Sequence, residues 1–166
     1  YAEEVGADSV GFTLYGGSNQ EVELAEEFRD VQERARAHDM PVVMWSYPRG
    51  QGVKNDTKSS VIAYAARQAL ELGADVAKVK YPGSREAMEH VVEMAGPTKV
   101  IMSGGSKRSD REFLKSVEAV MDAGGAGLAV GRNIFQRENP ERILDALEAV
   151  IHEEKSVDAA LAAAER

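Results

Sequence analysis

At 166 residues, with 43% hydrophobic and 29% charged side chains, the chain fits one compact soluble domain over residues 1–166. A formal net charge of −8 with no basic tract argues against a nucleic-acid or anionic-membrane surface. There is no cysteine, which excludes disulfides and thiolate metal sites, and no apolar run approaches the roughly 18 residues of a membrane span. No signal peptide is visible, so the expected compartment is the cytoplasm.

Residues 1–5 read as the last turn of a helix closed by Gly6, so the chain opens inside a repeating unit, as a piece of something longer would. G-A-D-S-V-G-F-T-L-Y (6–15) then runs into a strand. Ser18 and Glu21 have capping-box spacing before a helix striped by Leu24, Phe28 and Val31. The strand P-V-V-M-W-S-Y-P (41–48) follows. Strand side chains alternate faces, so Trp45 and Tyr47 share one and Ser46 takes the other. The strand delivers a phenol and, in Y-P-R-G, the guanidinium of Arg49 to its rim. Tyrosine can serve as a general acid or base, with a core aromatic pair as the plain alternative.

The join L-G-A-D-V-A-K-V (72–79) repeats the one at residue 6 and continues as K-Y-P-G to residue 83. Lys78 and Lys80 share a strand face with Val76, while Ala77 and Val79 take the other. Two cations so close should depress each other's pKa, and a lysine made partly neutral is a good carbonyl nucleophile. The alternative is a lysine pair snorkelling to solvent. T-K-V-I-M-S-G-G (98–105) is the next strand, ending in Ser103, Gly104 and Gly105. Ser109 with Glu112 has capping-box spacing ahead of a Phe113, Val117, Val120 stripe. A-G-G-A-G-L-A-V (123–130) leads into Gly131, Arg132 and Asn133 and a short helical turn at Ile134 and Phe135. Asn139 before Pro140 caps a helix striped by Ile143, Leu147, Val150 and Ile151, and 156–166 reads as an alanine-rich helical tail.

Strands alternating with helices mean an α/β fold with a parallel sheet. A doubly wound sheet can be complete with five strands, whereas a TIM (β/α)8 barrel needs eight, and five-eighths of a barrel of about 250 residues is roughly 156. No G-x-G-x-x-G follows the first strand, which weakens a dinucleotide-binding sheet. The expectation is the last five βα units of a barrel. Barrel sites gather where strands end, with phosphate frequently held after strands seven and eight. S-G-G and G-R-N would be those two loops, with Arg132 gripping phosphate oxygens directly. His38, His90 and His152 fall on separate helices without metal-ligand spacing, and no G-x-S-x-G elbow occurs.

These motifs, G-F-T-L-Y-G-G-S, W-S-Y-P-R-G, K-V-K-Y, M-S-G-G and A-V-G-R-N-I-F-Q-R, together resemble the archaeal-type class I fructose-1,6-bisphosphate aldolases, a TIM-barrel family. The resemblance implies that Lys78 is the Schiff-base residue and Tyr47 the proton-transfer residue. It further implies that Trp45, Arg49 and Lys80 line a sugar-phosphate site, and that Ser103, Gly104, Gly105, Gly131 and Arg132 hold a phosphate. The five strands would be strands four to eight of that barrel. The family's first three strands, with an active-site aspartate on the first, have no counterpart here. A sister branch, the 2-amino-3,7-dideoxy-D-threo-hept-6-ulosonate synthases, shares Y-P-R-G and G-R-N-I-F-Q but typically lacks the Trp45–Ser46 step and the second lysine. A half-barrel without turnover, acting as a phosphate-binding or assembly module, is the reading from another class. The expected partner is a sugar-phosphate substrate, with no nucleic acid, membrane, cofactor or metal ion, and the expected assembly is a homo-oligomer.

Overall fold

The apolar runs of period two and the stripes of period 3.6 fold in alternation. The computed structural model of the chain describes residues 1–164; residues 165 and 166, the end of the predicted tail, lie outside the described residues. Its strands are β1 (Val10–Leu14), β2 (Val42–Ser46), β3 (Val76–Val79), β4 (Lys99–Ser103) and β5 (Gly127–Ala129). The helices are α1 (Glu21–Arg36), α2 (Ser59–Glu71), α3 (Arg85–Ala95), α4 (Asp110–Asp122), α5 (Arg132–Phe135), α6 (Pro140–Ile151) and α7 (Val157–Ala163). All strand pairs are parallel, in the spatial order β1-β2-β3-β4-β5. That sequential order is singly wound. It lacks the reversal of strand order that defines a doubly wound sheet.

Parallel crossovers are right-handed, so a sequential order sends the helices to one side of the sheet. The packing follows. Val42, Met44, Ala77, Val79, Val100 and Met102 are fully buried with Phe28, Ile62, Met88, Val91, Phe113 and Val117 from the helices. At about 1.5–3 kcal/mol per buried large side chain, this layer is the main stabilising contribution. Phe12 meets Phe28 edge-on with centroids 5.9 Å apart. Ser46 is buried in the same layer, its hydroxyl donating to the Ala65 carbonyl of α2 at 2.9 Å. The opposite face carries Trp45, Lys78 and Ile101, paired across the sheet as Trp45↔Lys78 and Lys78↔Ile101, and is only half-buried.

The repeated join is one hydrogen-bonding pattern used three times. Gly73 (φ +78°) donates to Leu70 O and Ala74 to Ala69 O, a Schellman closure that needs a left-handed residue. Gly6 with Ala7 and Gly124 with Gly125 form the same pair of bonds. Each closure reverses the chain out of a helical turn and into the next strand. After the third, the strand is only Gly127–Ala129, shorter than the 123–130 run suggests.

The predicted caps fare differently. Ser109 and Glu112 form a full capping box, and Asn139 accepts the Arg142 N–H ahead of Pro140. Ser18 and Glu21 do not form one. The Glu21 carboxylate is taken by the Gly17 N–H (2.7 Å) and Gln68 Nε2 (2.7 Å), and α1 starts after Gln20 with no side-chain cap. Glu21 thus ties the loop after β1 to α2 instead.

Gly11 on β1 faces the half-buried side, and a Cβ there would sit 2.4 Å from Trp45 Cη2. The indole lies flat over the space a side chain would fill. Trp45 is the only tryptophan, so its emission reports this contact alone. Gly11→Ala is expected to displace the ring and change its emission maximum and its quenching by acrylamide, while far-ultraviolet circular dichroism stays put. An unchanged emission spectrum would show that the ring does not depend on the missing Cβ.

Candidate active site

The free face and the loops at the C-terminal ends of the strands enclose a cavity of about 360 Å³. Its floor is the strand row carrying Lys78. Just past the end of β3 stands Lys80, and beyond the end of β2 stand Tyr47 and Arg49, all lining the cavity. The far wall is Ser103 at the end of β4 with Gly104 and Gly105 after it, facing Gly131 and Arg132 after β5, where Ala129 and Phe135 complete it. Nine of the ten sequence-predicted residues therefore meet in one place. Trp45 is not on the wall; it lies beside the nucleophile candidate, with Lys78 Nζ 5.8 Å from its ring centroid.

The electrostatics are lopsided. In a chain of net charge −8, four cationic side chains (Arg49, Lys78, Lys80 and Arg132) and no carboxylate line this cavity among the described residues. Such a pocket selects anions. Gly104 can stand so close to the next loop only without a side chain, because a Cβ would come within 2.7 Å of Val130. The turn α5 is four residues long, so it supplies little macrodipole and the cations carry the attraction.

The two lysines differ in a way the spacing argument did not anticipate. Lys80 is ion-paired with Asp56, from the loop between β2 and α2, so its charge is met locally. The Asp56 carboxyl is held below the usual range, first by that hydrogen bond with Lys80. Lys78 has its pKa pushed down by burial, not by its neighbour's charge. A lysine with a lowered folded pKa costs the fold stability below that pKa. The cost is relieved as pH rises from the folded value to the unfolded one. This is a destabilising feature that the site tolerates.

Burial pushes the Tyr47 phenol upward, against a hydrogen bond with Ser103 and the charge of Arg49, which both pull it down; Tyr15 adds to the rise. Tyr47 is therefore a protonated phenol at neutral pH, able to donate. Its backbone N–H reaches Leu14 O at 3.0 Å, continuing the β1–β2 ladder past the strand end. Arg49 stands 5.8 Å over the Tyr15 ring and its N–H bonds Gly16 O at 2.9 Å. Asp56 had no sequence signal, since it joins the site only by pairing with Lys80, 24 residues on; Phe135 was legible only as part of the short turn after G-R-N. Elsewhere, His38 and His90 pair with Glu3 and Glu93, and among the described residues no group of three or more His, Asp or Glu is placed to hold a metal ion. No described helix is long and apolar enough to cross a membrane.

Residues 2–137 match the sequence model of the DeoC/LacD family aldolases. The chain belongs to this family. Over 161 residues it is 73% identical to the class 1 fructose-bisphosphate aldolase of Halobacterium salinarum, covering 97% of this chain and 61% of that protein. It is 39% identical over 163 residues to the 2-amino-3,7-dideoxy-D-threo-hept-6-ulosonate synthase of the same species, covering 98% and 61%. Among solved structures, an archaeal fructose-1,6-bisphosphate aldolase whose catalytic lysine is covalently bound to the carbinolamine intermediate superposes with a TM-score of 0.88. The identity is 44%, over 90% of this chain and 60% of that one. The chain thus spans about three-fifths of the length of the aldolases it matches.

The burial of Lys78 makes a pH prediction. Acylation of Lys78 by a neutral reagent, read peptide by peptide, is expected to rise with pH through a midpoint below the about 10.4 of an unperturbed lysine. A midpoint at or above that value would remove burial as the activating influence.

Proposed function

We propose that the intact protein is a class I fructose-bisphosphate aldolase. It would cleave fructose 1,6-bisphosphate to dihydroxyacetone phosphate and glyceraldehyde 3-phosphate through a Schiff base, and run the reverse condensation, in glycolysis and gluconeogenesis. The observation that carries this reading is a half-buried lysine for which the described residues supply no ion-pair partner, opening into a cavity lined by cations. The 73% identity to a protein of that name supports it. We also propose that these units are strands four to eight of an eightfold barrel. Five of eight units is close to the 61% of the relative's length that the chain covers. The outer edges of β1 and β5 then pair with the remaining strands rather than lying open. A phosphorylated sugar as substrate fits a cytoplasmic enzyme, and exposed Val22 and Tyr64 on the outer helices fit a homo-oligomer.

The mechanism follows from the site. The neutral amine of Lys78 attacks the C2 ketone of the open-chain sugar, and loss of water leaves an iminium. A base takes the C4 hydroxyl proton, the C3–C4 bond breaks, and its electrons flow into the iminium as an enamine while the aldehyde leaves. Protonation at C3 and hydrolysis release dihydroxyacetone phosphate and restore Lys78. Tyr47, held protonated by burial, would exchange protons during these steps. Ser103, Gly104, Gly105, Gly131 and Arg132 would hold one phosphate, while Arg49 and Lys80 would line the remainder of the sugar phosphate, with Trp45 beside Lys78 off the cavity wall. Anchoring the remote phosphate aligns the carbonyl with the amine.

In the intact protein, borohydride with dihydroxyacetone phosphate is expected to leave a stable adduct on Lys78. Lys78→Arg should abolish it, because guanidinium stays protonated. An adduct on Lys80 would overturn the assignment, and no adduct at all would favour a non-catalytic phosphate-binding module. The synthase reading is separated by comparing cleavage of sugar bisphosphates.

Tyr47→Phe removes one oxygen and keeps the ring, so folding should survive at a cost of about 1 kcal/mol. Turnover is expected to fall by roughly 10²–10⁴-fold, the span of general acid–base groups, while substrate still binds. Near-normal turnover would return Tyr47 to a packing role.

A further inference from the structure

The loop after β4, residues 104–108, has no regular secondary structure, yet its Gly104 and Gly105 line the wall that faces Arg132. Something outside the loop must fix its shape. We infer that Asn133, with Arg137 behind it, is a positioning residue that locks this loop to the turn after β5 and so sets the affinity of the cavity for a phosphate group. The inference rests on reading the cavity as a sugar-phosphate site.

Asn133 is fully buried and does not line the cavity, although it is adjacent in sequence to exposed Arg132, which does. An asparagine side chain offers two N–H donors and a carbonyl acceptor. Asn133 spends all three on the one loop. Its Nδ2 donates to Gly104 O at 2.7 Å and to Ser106 O at 3.0 Å, and its Oδ1 accepts the Arg108 N–H at 3.0 Å. Arg137 grips the same two segments from the other side. Its Nε donates to the Asn133 carbonyl at 2.6 Å, Nη2 to the Arg108 carbonyl at 3.3 Å, and Nη1 pairs with Asp110. Lys107 adds a third link, to the Gln136 carbonyl at 2.7 Å. The loop is thus held along its length by residues of the turn after β5.

The consequence reaches the cavity through a single peptide plane. A trans peptide points its C=O and N–H in opposite directions. Asn133 draws the Gly104 carbonyl back into the protein, so the Gly105 N–H is turned outward, to the side on which Gly105 lines the cavity. A backbone donor and Arg132 are then presented together, in a fixed relation, before any anion arrives. Without the lock, a glycine pair would have to be ordered at the moment of binding, and affinity would drop by that cost.

Asn133→Asp is isosteric and replaces the two donors by an acceptor facing two carbonyls. In the intact protein, the concentration of dihydroxyacetone phosphate giving half-maximal borohydride trapping on Lys78 is expected to rise by roughly 10–100-fold. Trapping of unphosphorylated dihydroxyacetone should stay within about twofold of wild type, because Lys78 and its burial are untouched. If circular dichroism shows Asn133→Asp to be unfolded, Arg137→Lys takes its place. It keeps the charge beside Asp110 but loses the Nε and Nη2 bonds, and a selective loss of roughly 3–10-fold is expected. Equal losses for both ketones, or no loss for the phosphorylated one, would overturn the inference and leave Asn133 as a support of the fold. Wild-type protein that traps both ketones equally well would instead overturn the phosphate reading of the cavity itself.

Discussion

The handedness of parallel crossovers governs this molecule. With the strands in sequential order, the right-handed connection places the helices against one face, where Met44, Ala77, Val79 and Met102 are fully buried. The other face is released from the demand to be apolar. Period-two alternation then assigns side chains to a job by parity: Ala77 and Val79 pack, while Lys78 and Lys80 face the opening. A lysine can sit mid-strand in a stable sheet because that parity keeps it out of the helix-packed core.

The same parity explains why the site is electrostatically unlike the rest of the chain. Negative charge is spread over the helices, whereas the strand ends collect four cations within one cavity. Those cations are handled separately. Lys80 is matched by Asp56, Arg49 stands over the Tyr15 ring, and Lys78, among the described residues, has the Trp45 face and partial burial. The lysine with the poorest charge compensation is the one whose neutral form is favoured. That is the distribution a carbonyl nucleophile requires, and the fold bears its cost.

What could be read from the sequence was what is local to it. The Ser109–Glu112 box, the Asn139 cap and the glycine closures at residues 6, 73 and 124 depend on neighbours within six residues, and they form. The lysine faces depend only on alternation. Two readings failed for one common reason. Glu21 was expected to cap its own helix but bonds Gln68, 47 residues on; Lys78 was expected to feel Lys80, but Lys80 is occupied by Asp56, 24 residues back. Loop-to-loop partners leave no trace in spacing. Asn133 shows the limit well, since G-R-N is visible as a motif while its grip on residues 104–108 appears only when two strand ends are brought side by side.

Sheet geometry also restricts what the proposed site can accept. Lys78 is in register with Ile101, so Ser103 lies one strand across and two residues up, and Ala129 lies in register with Ser103 on the next strand. At about 4.8 Å between strands and 3.3 Å per residue, Ser103 stands roughly 8 Å from Lys78 between backbones, and the turn after β5 a strand further. Lys78 rises from the sheet rather than along it, so this offset is left for the occupant of the cavity to bridge. In the proposed reaction, a substrate that bridges it would carry its anion only a few bonds from the carbonyl that the amine attacks. A ketone with phosphate on the adjacent carbon meets this condition, whereas one with phosphate only at the far end of a chain would reach the loops with its carbonyl displaced from Lys78. Register therefore acts as a ruler, and a loop pinned by Asn133 keeps that ruler at constant length.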